Sequence, residues 1–585
     1  MKSSFSLRIK IFAFCILLFS FILIGKLFLV QIVHSNSFTK EADRQYVTPS
    51  SDILERGNIY FSNKDGSLVF AATQTLGFKI AINPSKIIDE EDTYLKISSI
   101  IEINRDEFFI KANRKKDPYE EIANHLSKEK ADAISKLNIS GVSIFKEKWR
   151  FYPGGNLASH ALGFLGYKGD ELGGRYGLER SYDDVLSRDK DNPYINFFAE
   201  VFSNINKTLF ENKIKKGDII TTIEPNVQSF LEKELEGVKE KYNTDSIGGI
   251  IMDPKTGAIY AMALKPDFDL NNFSDVKSTS LFSNGAVENV LEFGSVVKPL
   301  VMASAIDAGV LTAETKYNDR GSVIIEKKEI FNFDKKARGN DVTMQEVLSQ
   351  SLNTGMVFVY QKLGKDLMRD YMLSFGIKEK TGIDLPNETS GLVSNLNSPR
   401  ELEYANAAFG QGIALTPIEM IRALASLGNG GVLITPHFVQ KIKYEDGKEM
   451  IMNYSTAPTK ISKKTSEDIS SMLVSIMDKS LSGGKVKMEH YSVAVKTGTA
   501  QVANNEEGGY YTDRNTHSFF GYFPAYDPKF IVFLYAVNPK GVAYASMTWT
   551  DPFLSITKFL LNYYEVPPDR YIIKNYELRI TNYEL

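Results

Sequence analysis

Glu292-Phe293-Gly294-Ser295-Val296-Val297-Lys298-Pro299-Leu300 is the stretch on which the reading of this chain turns. Ser295 and Lys298 stand three positions apart, so on one helical turn their side chains face the same way. A serine hydroxyl is a poor nucleophile near neutral pH and needs an adjacent base. A lysine can be that base when burial or nearby positive charge lowers its pKa enough to leave the amine neutral. Gly294 allows a close backbone approach, and Pro299 is tolerated near a helix start. The apolar run Leu300 to Ile306 suits a buried helix, with Gly309 as its stop. Ser-x-x-Lys also occurs at Ser127/Lys130, Ser482/Lys485 and Ser555/Lys558, where a solvated surface pairing is the simplest reading. The motif therefore assigns nothing by itself, and its surroundings have to decide.

Downstream, Lys496-Thr497-Gly498-Thr499 sits in a strand-like run, with Val493-Ala494-Val495 before it and Ala500-Gln501-Val502 after. On an edge strand beside a nucleophile, Lys496 and Thr497 can bind a substrate carboxylate. Gly498 removes a side chain where substrate must lie close, and a backbone N–H just beyond can help form an oxyanion hole. Lys-Thr-Gly occurs twice more, at Lys255 in a hairpin turn and at Lys380 in a loop, so only the third copy has a strand around it. Ser351-Leu352-Asn353 falls between two predicted helices, where Ser351 can relay a proton and Asn353 can hold a substrate amide.

The 585 residues are enough for several domains. Hydrophobic residues make up 43% and charged residues 24%, which is globular composition. A net charge of −3 offers no electrostatic case for nucleic acid. The single cysteine, Cys15, excludes an intrachain disulfide and a multi-cysteine zinc site. The six histidines are scattered with no metal-ligand spacing, so neither metal nor cofactor is expected. The apolar run from Ile11 to about Val30, preceded by Lys2, Arg8 and Lys10, reads as one membrane span with the N-terminus inside and the rest outside. The expected layout is a cytoplasmic segment 1–10, a transmembrane helix 11–31, a mixed domain 32–215, a second domain 216–568 and a tail 569–585 that repeats Asn-Tyr-Glu-Leu. Within it, Ala72 to Asn83 reads as extended and Asp117 to Leu137 as one or two amphipathic helices. A helix is expected from Pro225 to Tyr242, then a hairpin of Ile247 to Met252 with Ala258 to Ala263. Capping boxes open helices at Thr343 and Thr416. Ser492 to Val502, Ser518 to Phe523 and Phe530 to Val537 read as antiparallel strands, and Pro552 to Tyr564 as a closing helix.

Ser-x-x-Lys at a helix start, Ser-x-Asn between helices and Lys-Thr-Gly on a strand, in that order, resemble the three motifs of penicillin-binding proteins and serine β-lactamases. The resemblance is to class B, the monofunctional peptidoglycan D,D-transpeptidases. Arg56 to Tyr60, Arg150 to Pro153, His160 to Gly166 and Gly177-Leu178-Glu179 resemble the N-terminal pedestal of that class. Thr381 to Pro386 and Gly410 to Pro417 resemble its transpeptidase domain. The approach to Ser295, Asn284 to Glu292, looks most like the septal, cell-division branch. Phe293 stands where the family usually has proline, and Phe61 to Gly66 departs from the usual Asp-Arg-Asn-Gly.

The resemblance implies an α/β (α+β) multi-domain fold. An elongated pedestal of the penicillin-binding protein dimerisation type would precede a transpeptidase domain whose central antiparallel sheet is flanked by helices. It further implies a serine acyl-enzyme cycle on D-Ala-D-Ala stem peptides, in which Ser295 attacks and Lys298 takes the proton. Ser351 would pass that proton on. Asn353, Lys496 and Thr497 would hold substrate, and the N–H groups of Ser295 and Thr499 the oxyanion. β-Lactams would acylate Ser295. Implied partners are a polytopic membrane glycosyltransferase of the shape-and-division type and other division proteins, and the implied location is the bacterial cytoplasmic membrane with the catalytic domain outside. Arg56 is expected to pair with Glu179. The alternatives are an elongation-branch transpeptidase, a membrane-bound β-lactam sensor or hydrolase, and a non-catalytic division scaffold.

Overall fold

Asp253-Pro254-Lys255-Thr256-Gly257 closes a hairpin, as its composition requires. The Asp253 carbonyl accepts from the Gly257 N–H at 2.9 Å and its carboxylate from the Lys255 N–H at 2.8 Å. The strands on either side, Ser246–Met252 and Ile259–Lys265, are two of five in an antiparallel sheet. Its order is Ala494–Ala503, Tyr510–Phe523, Phe530–Val537, Ser246–Met252, Ile259–Lys265. The Lys-Thr-Gly strand is therefore an edge.

Strand side chains alternate between faces. Phe533 and Tyr535 pack against Phe293 on one face. Leu534 lies with Leu231, from helix Pro225–Tyr242, on the other. Helix Ala545–Tyr563 joins that second face, with Phe553 on Phe519 and Phe559 stacked on Phe230 at 4.1 Å. Helix Lys298–Asp307 is buried continuously from Lys298 to Ala305, as an all-round apolar sequence demands of a central helix. Helices Asn353–Leu363, Lys365–Ser374 and Lys463–Ser475 surround it. The capping boxes at Thr343 and Thr416 both form.

The structure is a computed structural model. It describes residues 17–19, 23, 26, 55–168, 171–188, 215–276, 278–504 and 508–570. Nearly all of the span expected at 11–31, and the tail beyond 570, lie outside these. Among the described residues no helix is long and apolar enough to cross a membrane. The chain packs as two units. The smaller holds Gln74–Arg150, and the larger holds Arg56–Thr73 and the chain from Phe151 onward.

In the smaller unit, the second part of strand Leu68–Ile82 pairs antiparallel with Glu120–Leu126, in register Phe78↔Leu126 and Ile82↔Glu120. Ile80, Ile82, Ile97, Phe108 and Ile134 form its core. The expectation of helix throughout Asp117 to Leu137 is corrected here. Residues Glu120–Leu126 are a strand, and only Lys128–Lys136 is helical, with Ser127 as its N-cap. Backbone pairing with Phe78–Ile82, some forty residues away in the chain, makes the strand; Arg114 pairs with Glu120 at 2.8 Å and Lys79 with Glu121 at 3.3 Å beside it. Those glutamates are strand-poor by composition, so read locally the segment looks helical.

In the larger unit, the Arg56–Glu179 pairing is present. Arg56 Nε donates to Glu179 Oε2 at 2.7 Å and Nη1 to Asp183 Oδ1 at 2.7 Å, and Nη2 donates to the Glu179 carbonyl at 2.8 Å. Arg56 is 4% exposed and Glu179 fully buried. The closing helix starts at Ala545, not at Pro552. Proline inside a helix costs a hydrogen bond, and tertiary anchors offset it. Trp549 Nε1 donates to the His517 carbonyl at 3.1 Å, Thr548 Oγ1 meets His517 Nδ1 at 2.9 Å, and the Ala545 N–H donates to Thr499 Oγ1 at 3.2 Å.

Candidate active site

Ser295 lies on a 3₁₀ turn, Gly294–Val297, that runs into helix Lys298–Asp307 with Pro299 in its first turn. Gly294 has φ +61°, and a Cβ there would stand 2.7 Å from the Thr499 carbonyl oxygen. Gly498 faces the same turn from the edge strand. A Cβ on it would fall 2.3 Å from the Phe293 carbonyl oxygen and 2.4 Å from Ser518 Oγ. The glycine was expected to make room for substrate, but its immediate use is to let the strand lie on the Ser295 turn. Ser518 Oγ donates to that same Phe293 carbonyl at 2.8 Å and fixes the contact.

The three motifs converge. Lys298 Nζ donates to the Ser351 carbonyl at 2.7 Å and to Asn353 Oδ1 at 2.8 Å, and lies 3.3 Å from Ser351 Oγ. Lys496 Nζ reaches the same Ser351 Oγ at 3.0 Å and the Thr497 carbonyl at 3.0 Å. The Ser351 hydroxyl thus sits between two lysines. Lys298 is fully buried and Lys496 2% exposed. Among the described residues neither has a carboxylate partner. Burial drives the Lys298 pKa well below its usual value, and the charge of Lys496 lowers it further. Burial alone brings Lys496 down to about 7. Ser295 is half-buried, and among the described residues its hydroxyl makes no hydrogen bond. The bonds of Lys298 all go to the Ser-x-Asn loop, and the direct contact expected with Ser295 is not among them.

Ser351 joins helices Met344–Ser349 and Asn353–Leu363, with φ +57°. Asn353 Nδ2 donates to the Phe331 carbonyl at 3.0 Å. A buried network behind it was missed in the sequence. Asn332 Nδ2 bonds both Asp319 oxygens at 3.0 Å, and Thr354 Oγ1 donates to Asp319 at 2.8 Å and lies 3.0 Å from Asn332 Oδ1. Its members lie 13 to 35 residues apart, so no local pattern reveals them. Also missed was Glu292, whose oxygens accept from the Tyr510 hydroxyl at 3.0 and 3.1 Å. Burial raises its carboxyl to about 7, against the opposing Tyr510 bond. Alternation along the strand separates Thr497 and Thr499 from Lys496 and Gly498. Thr497 stays half-buried, while the Thr499 hydroxyl accepts from Ala545. Among the described residues no cluster of side chains suits a metal.

The sequence profile of the penicillin binding protein transpeptidase domain matches residues 247–555, and that of the penicillin-binding protein dimerisation domain matches 53–222. Stage V sporulation protein D of Bacillus subtilis is 30% identical over 521 residues, spanning 88% of this chain and 78% of that protein. Peptidoglycan D,D-transpeptidase FtsI of Escherichia coli K12 is 24% identical over 573 residues, spanning 96% and 93%. In fold, the chain is similar to penicillin binding protein 3 of Mycobacterium tuberculosis, with TM-score 0.67, 20% identity and coverage of 88% and 98%. It is also similar to penicillin binding protein 2X of Streptococcus thermophilus, with TM-score 0.70, 19% identity and coverage of 88% and 81%. The mixed α/β two-domain architecture, the helix-flanked sheet and these matches lead to one statement: this chain belongs to the penicillin-binding protein transpeptidase family.

Proposed function

We propose that this protein is a peptidoglycan D,D-transpeptidase working through an acyl-enzyme on Ser295. The observation that carries the reading is the pair of buried lysines, Lys298 and Lys496, meeting at the Ser351 hydroxyl, with the half-buried Ser295 on the turn that leads into Lys298. Ser295 Oγ attacks the carbonyl of the penultimate D-Ala of a stem peptide, and its proton passes to the neutral Lys298 amine. The N–H groups of Ser295 and Thr499 receive the oxyanion. As the tetrahedral carbon collapses, the C–N bond to the terminal D-Ala breaks, and Ser351 conveys the proton from Lys298 to the departing amine. The amine of a second stem peptide then attacks the ester, releasing Ser295 and forming the cross-link. Lys496 and Thr497 hold the donor carboxylate, and Asn353 the peptide amide. The free edge of strand Ala494–Ala503 offers backbone groups to an extended peptide. A β-lactam mimics the donor and stops at the acyl stage.

The protein works outside the cytoplasmic membrane, held by the apolar run 11–31, beside a polytopic glycosyltransferase and other division proteins. What supports a septal role over an elongation role is the approach segment Asn284 to Glu292. The test is intact mass after incubation with a penicillin, for wild type and Ser295→Ala. One stable adduct on wild type and none on the variant is expected. An adduct that disappears as the drug is consumed would instead identify a hydrolase, and no adduct on folded wild type a scaffold.

A further inference from the structure

Before the Ser295 turn, the segment from Ser280 to Leu291 roofs a cavity of about 160 Å³ over strands Ser246–Met252, Ile259–Lys265 and Phe530–Val537. None of the proposed catalytic or substrate-binding residues lines it. Ile247, Leu264, Pro266, Leu281 and Leu291 supply apolar wall. Tyr535 lines it too and is 3% exposed, yet among the described residues its hydroxyl has no hydrogen-bond partner. Burial pushes its pKa up, so the phenol keeps its proton and remains a donor.

The charge in the walls is already balanced. Lys265 pairs with Asp267 at 2.7 Å and Glu236 at 3.4 Å. His160 has its Nε2 3.0 Å from the Leu281 carbonyl, and burial brings its pKa down to about 4, so it is neutral. No carboxylate lines the cavity. Neither an anion nor a cation finds a free counter-charge. Ser246, Ser280, Ser283 and Asn289 add polar wall, and a cavity of this volume has room for a molecule the size of benzene.

We propose that this cavity binds a small neutral molecule with a compact apolar body and one hydrogen-bond acceptor, seated with the acceptor on the Tyr535 hydroxyl. Tyr535 also packs edge-on against Phe293, ring centroids 6.0 Å apart, so the site lies one side chain from the turn that carries Ser295.

The probe is 4-fluorophenol, followed by fluorine NMR with the full-length protein, beside fluorobenzene, which lacks the oxygen. Wild type should bind 4-fluorophenol saturably. Tyr535→Phe should weaken it about threefold to tenfold, the worth of one neutral hydrogen bond, and leave fluorobenzene unchanged. Leu264→Trp, which fills the cavity, should abolish both. Acylation by penicillin reports that each variant is folded. If Leu264→Trp fails that check, Gly285→Val fills the cavity from the opposite wall with the same expectation. No saturable binding to wild type, binding that survives the filling variant, or equal weakening of both probes by Tyr535→Phe would overturn the proposal.

Discussion

Gly498→Ala tests how closely the Lys-Thr-Gly strand must lie on the nucleophile turn. The added methyl would start 2.3 Å from the Phe293 carbonyl oxygen and 2.4 Å from Ser518 Oγ, and ordinary contact begins near 3.4 Å. Those two oxygens hydrogen-bond each other at 2.8 Å, so neither steps aside cheaply. The strand has to withdraw by about 1 Å, the difference between those contacts, and Lys496 on the same face leaves Ser351 with it. Misplacing a reacting group by about 1 Å costs roughly 100-fold in rate, or about 2.7 kcal/mol of barrier. The assay is the second-order rate of acylation by a fluorescent penicillin, with a thermal melt on the same sample. Gly237→Ala is the control. It sits exposed in helix Pro225–Tyr242 with nothing within 4 Å of its new methyl. It should leave acylation unchanged and gain up to about 1 kcal/mol of stability. A folded Gly498→Ala protein acylating within about threefold of wild type, less than 1 kcal/mol of barrier, would refute the tight seating.

Three further outcomes follow from the electrostatics. Lys496→Gln removes the charge that helps depress Lys298, so the Lys298 pKa rises and the rising limb of the acylation pH profile moves to higher pH; an unmoved limb would show that the lysines are not coupled. Arg56→Met strands the buried Glu179 carboxylate and should cost about 3–5 kcal/mol by denaturant titration, with Arg56→Met/Glu179→Leu less damaging than the sum of its single variants; strict additivity would dissolve the pairing. Glu292 has its folded pKa raised to about 7 from an ordinary value near 4.3, so its contribution is full below the lower value and lost as pH rises through about 7. The melting temperature of Glu292→Gln relative to wild type should therefore climb between pH 5 and pH 8, and a flat difference would remove Glu292 as the titrating group.

What was legible in the sequence was carried by local chemistry. The hairpin at Asp253 to Gly257, the two capping boxes, helix Pro225–Tyr242 and the strand around Lys496 all follow from residues within a few positions of one another. Tertiary partners decided the rest. Glu120–Leu126 becomes a strand because it pairs with Phe78–Ile82, a partner far away in sequence. The closing helix extends back past Pro552 because His517 and Thr499, both from the sheet, hold its first turns. Asp319, Asn332 and Thr354 carry no motif at all, yet together they hold the loop that presents Ser351. Arg56 was legible as a partner of Glu179, but its second carboxylate, Asp183, was not.

Burial without a counter-ion separates the proposed catalytic copies from the bystanders. Of the Ser-x-x-Lys pairs, Ser127 caps a helix and Ser555 donates to Glu234 at 2.8 Å. Ser482 sits at φ +50° in a kinked turn. Of the Lys-Thr-Gly copies, Lys255 is exposed and paired with Asp527, and Thr381 is spent on Glu388. Lys298 and Lys496 alone among these lysines are buried with only hydroxyls, carbonyls and an amide around them. A lysine beside a carboxylate is held charged, whereas one buried among neutral acceptors is pushed toward the free amine that a serine nucleophile requires. The sequence carries that distinction in the flanks and not in the motifs: Val296-Val297 and Leu300 to Ala303 around Lys298, and Val493-Ala494-Val495 before Lys496, bury the amines and bring no acid with them.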